Sequence, residues 1–189
     1  MKIEVDNKLI VHNPTQEIRD YCRRELVVPN PDYYKKQAMG KWTGNLPQNI
    51  YLYEKCGEDL WLPFGCLYTL WKMYPHADDY KMLVKPIERR KYESSINLYD
   101  YQEQAVRAAL KTKNGILVMP TGSGKTQTAI ELIARIGGRA LWLTHTQDLL
   151  NQSKERAKGT LDLCGGKYGT ITAGKVNIGT HITFATVQT

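Results

Sequence analysis

The chain has 189 residues, of which 42% are hydrophobic and 24% charged, and it carries a formal net charge of +7. These values exclude a disordered, collagen-like or coiled-coil chain and allow one ordinary domain or two small ones. No apolar run approaches the ~18 residues of a membrane-spanning helix, and the first ten residues lack a secretory signal, so we expect a cytoplasmic protein. The 4 cysteines have no C-x-x-C spacing and are expected to be free thiols.

The composition changes near the middle of the sequence. Residues 1–97 contain 13 of the 18 aromatic residues and carry 15 basic against 13 acidic residues, whereas residues 98–189 carry 11 against 6. The basic second half suits a partner rich in phosphate, although such a charge also serves solubility alone. A charged stretch at residues 87–95 marks the change, so we predict two domains, at residues 1–92 and 93–189.

The first half is predicted to be a small α+β domain. Its patterns indicate a hairpin, a helix, a second helix start, two strands and a short helix. In chain order these are strands 2–5 and 8–12, a helix that begins at Asn13-Pro14, a start at Asn30-Pro31, strands 50–54 and 60–64, and a helix with Leu67, Leu70 and Trp71 on one face.

The second half alternates strands and helices, which predicts parallel pairing and an α/β sheet. The apolar run 115–119 has the character of a strand buried on both faces. The expected elements are helix 102–111, strand 115–119, a helix that ends at Gly137-Gly138, strand 140–143, helix 147–157 and strand 181–187.

The strongest motif lies between the strand predicted at 115–119 and the helix that follows it, which is the setting of a phosphate-binding P-loop. Its residues are Met119, Pro120, Thr121, Gly122, Ser123, Gly124, Lys125 and Thr126. The glycines allow successive N–H groups to face phosphate oxygens, Lys125 can reach the β- and γ-phosphates, and Thr126 can bind Mg²⁺. Met119 stands where the strict pattern has glycine, and a glycine-rich turn with a chance lysine is the alternative.

This P-loop and three weaker segments resemble, in order and spacing, the motifs of superfamily 2 DNA helicases and translocases, including the type III restriction-subunit-like and DEAD/DEAH-like groups. Residues 98–102 resemble the glutamine motif that reads adenine, residues 143–152 resemble motif Ia, and residues 182–189 resemble the Ala-Thr-x-Gln segment. The resemblance implies an incomplete RecA-like P-loop parallel sheet that uses ATP and Mg²⁺. It implies ATP contacts from Tyr101, Gln102 and residues 121–126, with Lys125 and Thr126 catalytic.

The same resemblance implies that Thr146 and Thr186 contact the backbone of DNA. Each weak segment has a plain structural alternative: Gln102 as part of a helix start, Thr146 as a helix cap, and Thr186 as an ordinary strand residue. The first half is similar to the N-terminal domain of the phage helicase UvsW and its relatives. By that likeness Trp42, Tyr51 and Tyr53 could stack on nucleic-acid bases beside Lys35, Lys36 and Lys41, or could instead form the core of the domain.

The sequence holds no Asp-Glu pair after the P-loop, where the family places its acidic motif. We therefore expect the chain to be the N-terminal piece of a longer, bacterial or phage-encoded helicase, and to be inactive alone. Without further strands from a C-terminal part or a partner chain, residues 115–119 would present an apolar edge. The alternative function is a module or regulator that binds ATP or nucleic acid without hydrolysis.

Overall fold

The computed structural model describes residues 1–76, 79–83, 86–112 and 114–188. The chain divides into two units, Met1–Lys85 and Pro86–Thr189. Within the described ranges, no helix is both long enough and apolar enough to cross a membrane.

The first unit is built on a sheet of five strands in the order β5-β6-β2-β1-β7. All its pairs are antiparallel except β1 with β7, and a separate two-stranded ladder joins β3 and β4. The elements are β1 (Lys2–Val5), β2 (Lys8–His12), α1 (Gln16–Glu25), β3 (Val27–Pro29), α2 (Pro31–Ala38), β4 (Asn49–Tyr51), β5 (Glu54–Cys56), β6 (Asp59–Pro63), α3 (Leu67–Met73) and β7 (Tyr80–Met82).

Alternation of apolar residues creates the core of this unit. Every second residue of β1, β2 and β6 is buried, as expected of a sheet with one face in the core. Helix α1 covers that face with Ile18 and Cys22, both fully buried. The core residues are Ile3, Val5, Leu9, Val11, Ile18, Cys22, Leu26, Leu60, Leu62, Cys66 and Leu70.

Two predictions in the first unit are wrong in detail. Helix α1 is capped by Thr15, whose hydroxyl accepts from the Ile18 N–H, and not by Asn13, whose backbone is left-handed (φ 49°). The single strand expected at 50–54 is two strands, because β4 pairs with β3 whereas β5 pairs with β6. The short helix predicted around Leu67, Leu70 and Trp71 is present as α3, in which Leu70 is fully buried and Trp71 is 42% exposed.

The second unit contains a four-stranded sheet in the order β12-β11-β13-β9 and a short ladder of β10 with β8. The pairs β11–β13 and β13–β9 are parallel. The elements are β8 (Glu93–Ser94), α4 (Asp100–Thr112), α5 (Lys125–Ile136), β9 (Ala140–Thr144), α6 (Gln147–Thr160), β10 (Leu161–Asp162), β11 (Tyr168–Thr172), β12 (Lys175–Asn177) and β13 (Ile182–Thr186). The predicted α/β class and the parallel pairing are confirmed.

The central strand β13 is buried along four of its five residues, and helices α5 and α6 pack against it through Ile130 and Leu150. The remaining core residues are Ala157, Leu161, Leu163, Ile182 and Phe184. Strand β9 occupies an edge of the described sheet, and Leu141 and Leu143 are 62% and 55% exposed. A strand is therefore present where it was expected at 140–143, but it is not buried on both faces.

The prediction of a buried strand at 115–119 is wrong. These residues form no regular element, and Ile116 and Val118 are 94% and 87% exposed. An apolar run becomes a buried strand only where strands flank it on both edges and side chains cover both faces. Among the described strands, none pairs with this segment.

Candidate nucleotide site

The P-loop connects the exposed apolar segment to helix α5. Gly122 and Gly124 have φ values of 81° and 74°, a region that side-chain-bearing residues rarely adopt. Helix α5 begins at Lys125, and its N-cap is Gly124, which has no side chain to accept from the first N–H groups. Those N–H groups and the helix dipole together form a site suited to an anion, as a triphosphate requires.

Lys125 folds over its own loop. Its ammonium donates to the carbonyl oxygens of Met119 (3.0 Å) and Pro120 (2.8 Å). The oxygens of a triphosphate can replace these two carbonyls, because an ammonium prefers a charged acceptor to a neutral one. The residues present therefore fit the nucleotide that the sequence predicts, with Thr126 beside Lys125 in the first turn of α5 for Mg²⁺.

Two side chains of α4 hold the P-loop from the other side. Gln102 is 2% exposed. Its Oε1 accepts from the Tyr99 N–H (3.0 Å), and its Nε2 donates to the Ser123 carbonyl (2.8 Å). The Tyr101 hydroxyl donates to the same carbonyl (3.2 Å). The bond from the Tyr99 N–H to Gln102 is half of a capping box, so Gln102 does take part in the start of helix α4, as the structural alternative expects. The same side chain also contacts the loop directly through Ser123.

The ring of Tyr101 stacks on that of Tyr99, with centroids 5.8 Å apart and planes 9° apart. Tyr99 is 69% exposed and Tyr101 49%. A flat, accessible aromatic pair beside a phosphate cradle offers a surface on which a nucleobase can stack. The sequence identifies Tyr101 as an ATP contact but gives no role to Tyr99.

The two threonines predicted to contact DNA lie at the same edge of the parallel sheet. Thr186 ends β13 and is in register with Thr144 at the end of β9, and Thr146 follows two residues later. The Thr146 hydroxyl accepts from the Leu149 N–H (3.3 Å) and caps α6, as the structural alternative expects. Its own proton is still available for donation to an acceptor such as a phosphate oxygen.

A cleft of about 950 Å³ connects the predicted P-loop with helix α6, which contains part of the segment that resembles motif Ia. Residues 121, 122 and 124–127 line one side, and one face of α6, from Leu149 to Thr160, lines the other. The α6 side contributes charges of both signs, from Glu155 and Arg156, opposite Lys125. The cleft therefore joins the predicted phosphate-binding residues to α6, whereas Thr146 and Thr186, which are predicted to contact DNA, do not line it.

Sequence reasoning missed an ion-pair network behind the loop. The Glu103 carboxylate of α4 accepts from the Arg135 guanidinium of α5 through both oxygens, at 2.9 and 2.7 Å. Arg135 also donates to Glu131 (2.8 Å), whose other oxygen accepts from Ser94 (2.5 Å). The i,i+4 spacing of Glu131 with Arg135, and of Glu103 with Arg107, was the available signal, although spacing alone could not join the two helices.

The second unit also matches a known protein family. Residues 95–189 match the family described as "Type III restriction enzyme, res subunit". The chain belongs to this family. The resemblance to type III restriction-subunit-like members of superfamily 2 is thus confirmed.

Parts of two relatives are similar to this type III restriction enzyme res-subunit family member. It is 44% identical over 77 residues to the DNA 3'-5' translocase XPB2 of Sulfurisphaera tokodaii, which covers 41% of this chain and 18% of the relative. It is 30% identical over 116 residues to the putative DNA 3'-5' helicase Rad25 of Halobacterium salinarum, covering 61% of the chain and 19% of the relative. The chain therefore spans about a fifth of the length of these relatives.

Two solved structures share the fold of this family member. One is the UvsW helicase from bacteriophage T4, with a TM-score of 0.59 and 19% identity, over 100% of this chain and 76% of that one. A second crystal structure of T4 UvsW gives a TM-score of 0.59 at 18% identity, over 100% of this chain and 43% of that one. At these identities the likeness establishes the fold alone, and it extends over both units.

Proposed function

We propose that this chain is the N-terminal part of an ATP-dependent DNA helicase or translocase, and that it binds ATP with Mg²⁺ through the P-loop. The observation that supports this most is the hydrogen bond from Gln102 to the Ser123 carbonyl, which links the segment that resembles the glutamine motif to the predicted P-loop. Relatives named as DNA helicases and translocases support the substrate class. In this proposal the protein is cytoplasmic.

Each part of the loop has a role in this proposal. Backbone N–H groups from Thr121 to Thr126 surround the phosphates, and Lys125 neutralises the β- and γ-phosphates. The Thr126 hydroxyl binds Mg²⁺, which offsets the charge that develops during phosphoryl transfer. Tyr101 supports the base by stacking. Gln102 contacts the adenine edge in this proposal only when its buried amide exchanges a present bond, such as that to Ser123, for one to the base.

DNA binds, in this proposal, across the carboxyl edge of β9 and β13. Thr146 and Thr186 contact phosphate oxygens of the backbone, and such contacts position a duplex or single strand without reading its sequence. The basic character of residues 98–189, with 11 basic against 6 acidic residues, adds a non-specific attraction to DNA.

Further strands complete the sheet, in our proposal, and come from a longer polypeptide or from a partner chain. Ile116, Val118 and Leu141 are 94%, 87% and 62% exposed, and exposed apolar surface commonly marks a site that another segment or chain covers. The acid that activates water would come from the same added part. Glu131 is unsuited to that task because Ser94 and Arg135 already occupy its carboxylate.

The alternative is a module that binds ATP or nucleic acid without turnover. The first unit offers a specific reason to keep nucleic-acid binding there as a second candidate function. Residues 30–52 carry Lys35, Lys36 and Lys41 against a single acidic residue, Asp32. Trp42 and Tyr51 are 86% and 61% exposed, so these two are not core residues, whereas Tyr53 packs against the core.

Calorimetric titration of Mg-ATP into the chain tests the main proposal. Lys125→Ala removes the ammonium that faces the phosphates, and a charge-assisted contact is worth ~1.5–3 kcal/mol, so we expect a loss of about tenfold or more in affinity. Lys175→Ala, in the exposed strand β12, is the matched control and should leave the affinity unchanged. Equal affinities for the two variants would remove the P-loop assignment.

A further inference from the structure

Helices α4 and α5 lie before and after the predicted P-loop in the sequence, and the bidentate ion pair of Glu103 with Arg135 connects them. Helix α4 ends at Thr112 and α5 begins at Lys125, so the loop lies between them along the chain. Both oxygens of the Glu103 carboxylate accept from the two terminal nitrogens of Arg135. This fork geometry constrains distance and orientation together, which a single-point contact cannot do.

The pair lies next to the residue that contacts the loop. Glu103 follows Gln102 in the first turn of α4, where Gln102 faces Ser123 and Glu103 faces α5. Gln102 is packed closely: a β-carbon at Gly124 would be 2.4 Å from its Nε2. A small shift of α4 would therefore either break the Ser123 contact or press Gln102 into the loop backbone.

Arg135 is itself held in place from its other side. Its Nε donates to Glu131, and the second oxygen of Glu131 accepts from the Ser94 hydroxyl. The Glu131 side chain is 10% exposed and that of Arg135 34%, so this part of the network is shielded from water. Arg107 contacts the same Glu103 carboxylate, but it belongs to α4 and its side chain is 75% exposed.

We propose that the Glu103–Arg135 pair is a positioning pair: it fixes Gln102 against the P-loop and thereby sets the geometry in which the loop holds a nucleoside triphosphate. The part that concerns triphosphate rests on the proposed function. Neither residue contacts the nucleotide in this proposal. Both act through Gln102 and through the Ser123 carbonyl that it holds.

The experiment compares two substitutions that each replace a charged side chain by an uncharged one, at the Glu103 carboxylate and at its second partner Arg107. Glu103→Gln removes the charge that joins α4 to α5, whereas Arg107→Gln removes a contact to the same carboxylate within α4. Mg-ATP is titrated by calorimetry at a temperature where each variant is folded, with the melting temperature measured separately without nucleotide. We expect Glu103→Gln and Arg135→Gln each to weaken ATP binding about fivefold, the lower end of site-to-site coupling.

The double variant should be no weaker than either single variant, because the two residues act as one unit. Arg107→Gln should stay within about twofold of the wild type, as an exposed pair does. Amide hydrogen exchange of residues 119–127 without nucleotide supplies a second readout. It should accelerate in Glu103→Gln and not in Arg107→Gln, since only the former frees the loop.

The outcomes separate the two proposals. Binding that depends on Lys125 but is equal in wild type and Glu103→Gln, with unchanged exchange of the loop, overturns the positioning role alone. A wild type that does not bind ATP overturns the proposed function, and the exchange measurement then still decides whether the pair holds the loop. A fall in melting temperature without any change in affinity or loop exchange assigns the pair a purely structural role and overturns the inference.

Discussion

Gln102 and Gly124 lie so close together that a β-carbon at Gly124 would force the amide of Gln102 to move. A β-carbon at Gly124 would lie 2.4 Å from Nε2 of Gln102, whereas a β-carbon at Gly122 would meet nothing within 4 Å. Both glycines have positive φ, so alanine is strained at either position. The difference between them isolates the contact with Gln102.

The first prediction uses this difference. Gly122→Ala should destabilise the fold by ~1–2 kcal/mol through backbone strain alone. Gly124→Ala should cost about 1 kcal/mol more, because Gln102 must move and loses its bond to Ser123. Thermal unfolding checks both values. Gln102→Ala should destabilise the Gly124→Ala variant less than it destabilises the wild type, because the bond to Ser123 is already lost in that variant. Equal destabilisation by the two glycine variants would mean that Gln102 does not press on the loop.

The second prediction concerns the choice of base. If Gln102 contacts adenine, the chain should bind ATP more tightly than GTP, and Gln102→Ala should narrow the difference. Tyr101→Phe removes only the hydroxyl bond to Ser123 and should retain the preference. Competition titrations with ATP and GTP give the ratio of the two affinities for each variant. A wild type that binds both equally leaves Gln102 as a structural contact of the P-loop.

The third prediction is a pH dependence. Hydrogen bonds from Arg135, and next from Arg107, lower the pKa of Glu103 from 4.5 to about 2. A lowered pKa means that the carboxylate stabilises the fold at pH values above 4.5, and that this stabilisation is lost as the pH falls from 4.5 towards 2. The effect should be small, because the pair is partly exposed to water.

Glu103→Gln cannot ionise, so its melting temperature should fall less steeply between pH 4.5 and 2 than that of the wild type. Glu155→Gln is the control, since Glu155 pairs with Lys158 at the surface of α6. If the melting temperatures of wild type and Glu103→Gln fall equally with pH between 4.5 and 2, the pair contributes nothing to the stability of the fold.

The fourth prediction tests nucleic-acid binding by the first unit. Trp42→Ala should weaken binding of single-stranded DNA by ~1–3 kcal/mol if a base stacks on this ring. Tyr68→Ala is the matched control: Tyr68 is also exposed and has Lys72 over its ring at 4.4 Å, but it lies on α3. Fluorescence anisotropy with a labelled oligonucleotide at two salt concentrations measures both variants. Equal losses for the two variants would contradict a dedicated surface at Trp42.

The sequence alone determined those features that depend on neighbouring residues. The predicted P-loop is recognisable because its glycines, Lys125 and Thr126 are close in sequence, and α5 begins at Lys125, as expected. The parallel pairing of β9 with β13 follows from the predicted alternation of strands and helices, whereas β11 and β12 were not predicted. The family match confirms the type III restriction-subunit-like resemblance. These features depend on residues that are close together in the sequence, so they can be predicted without knowing which residues far apart in the chain come into contact.

Tertiary structure decided the features that depend on residues far apart in the chain. Residues 115–119 have the composition of a buried strand, yet they stay exposed because burial depends on flanking strands that this segment does not gain. Glu103 and Arg135 are 32 residues apart, and only the packing of α4 on α5 brings them within 2.7 Å. Trp42 likewise has the character of a core residue, and its exposure follows from how the whole unit folds, since hydrophobicity alone does not state which surface is covered.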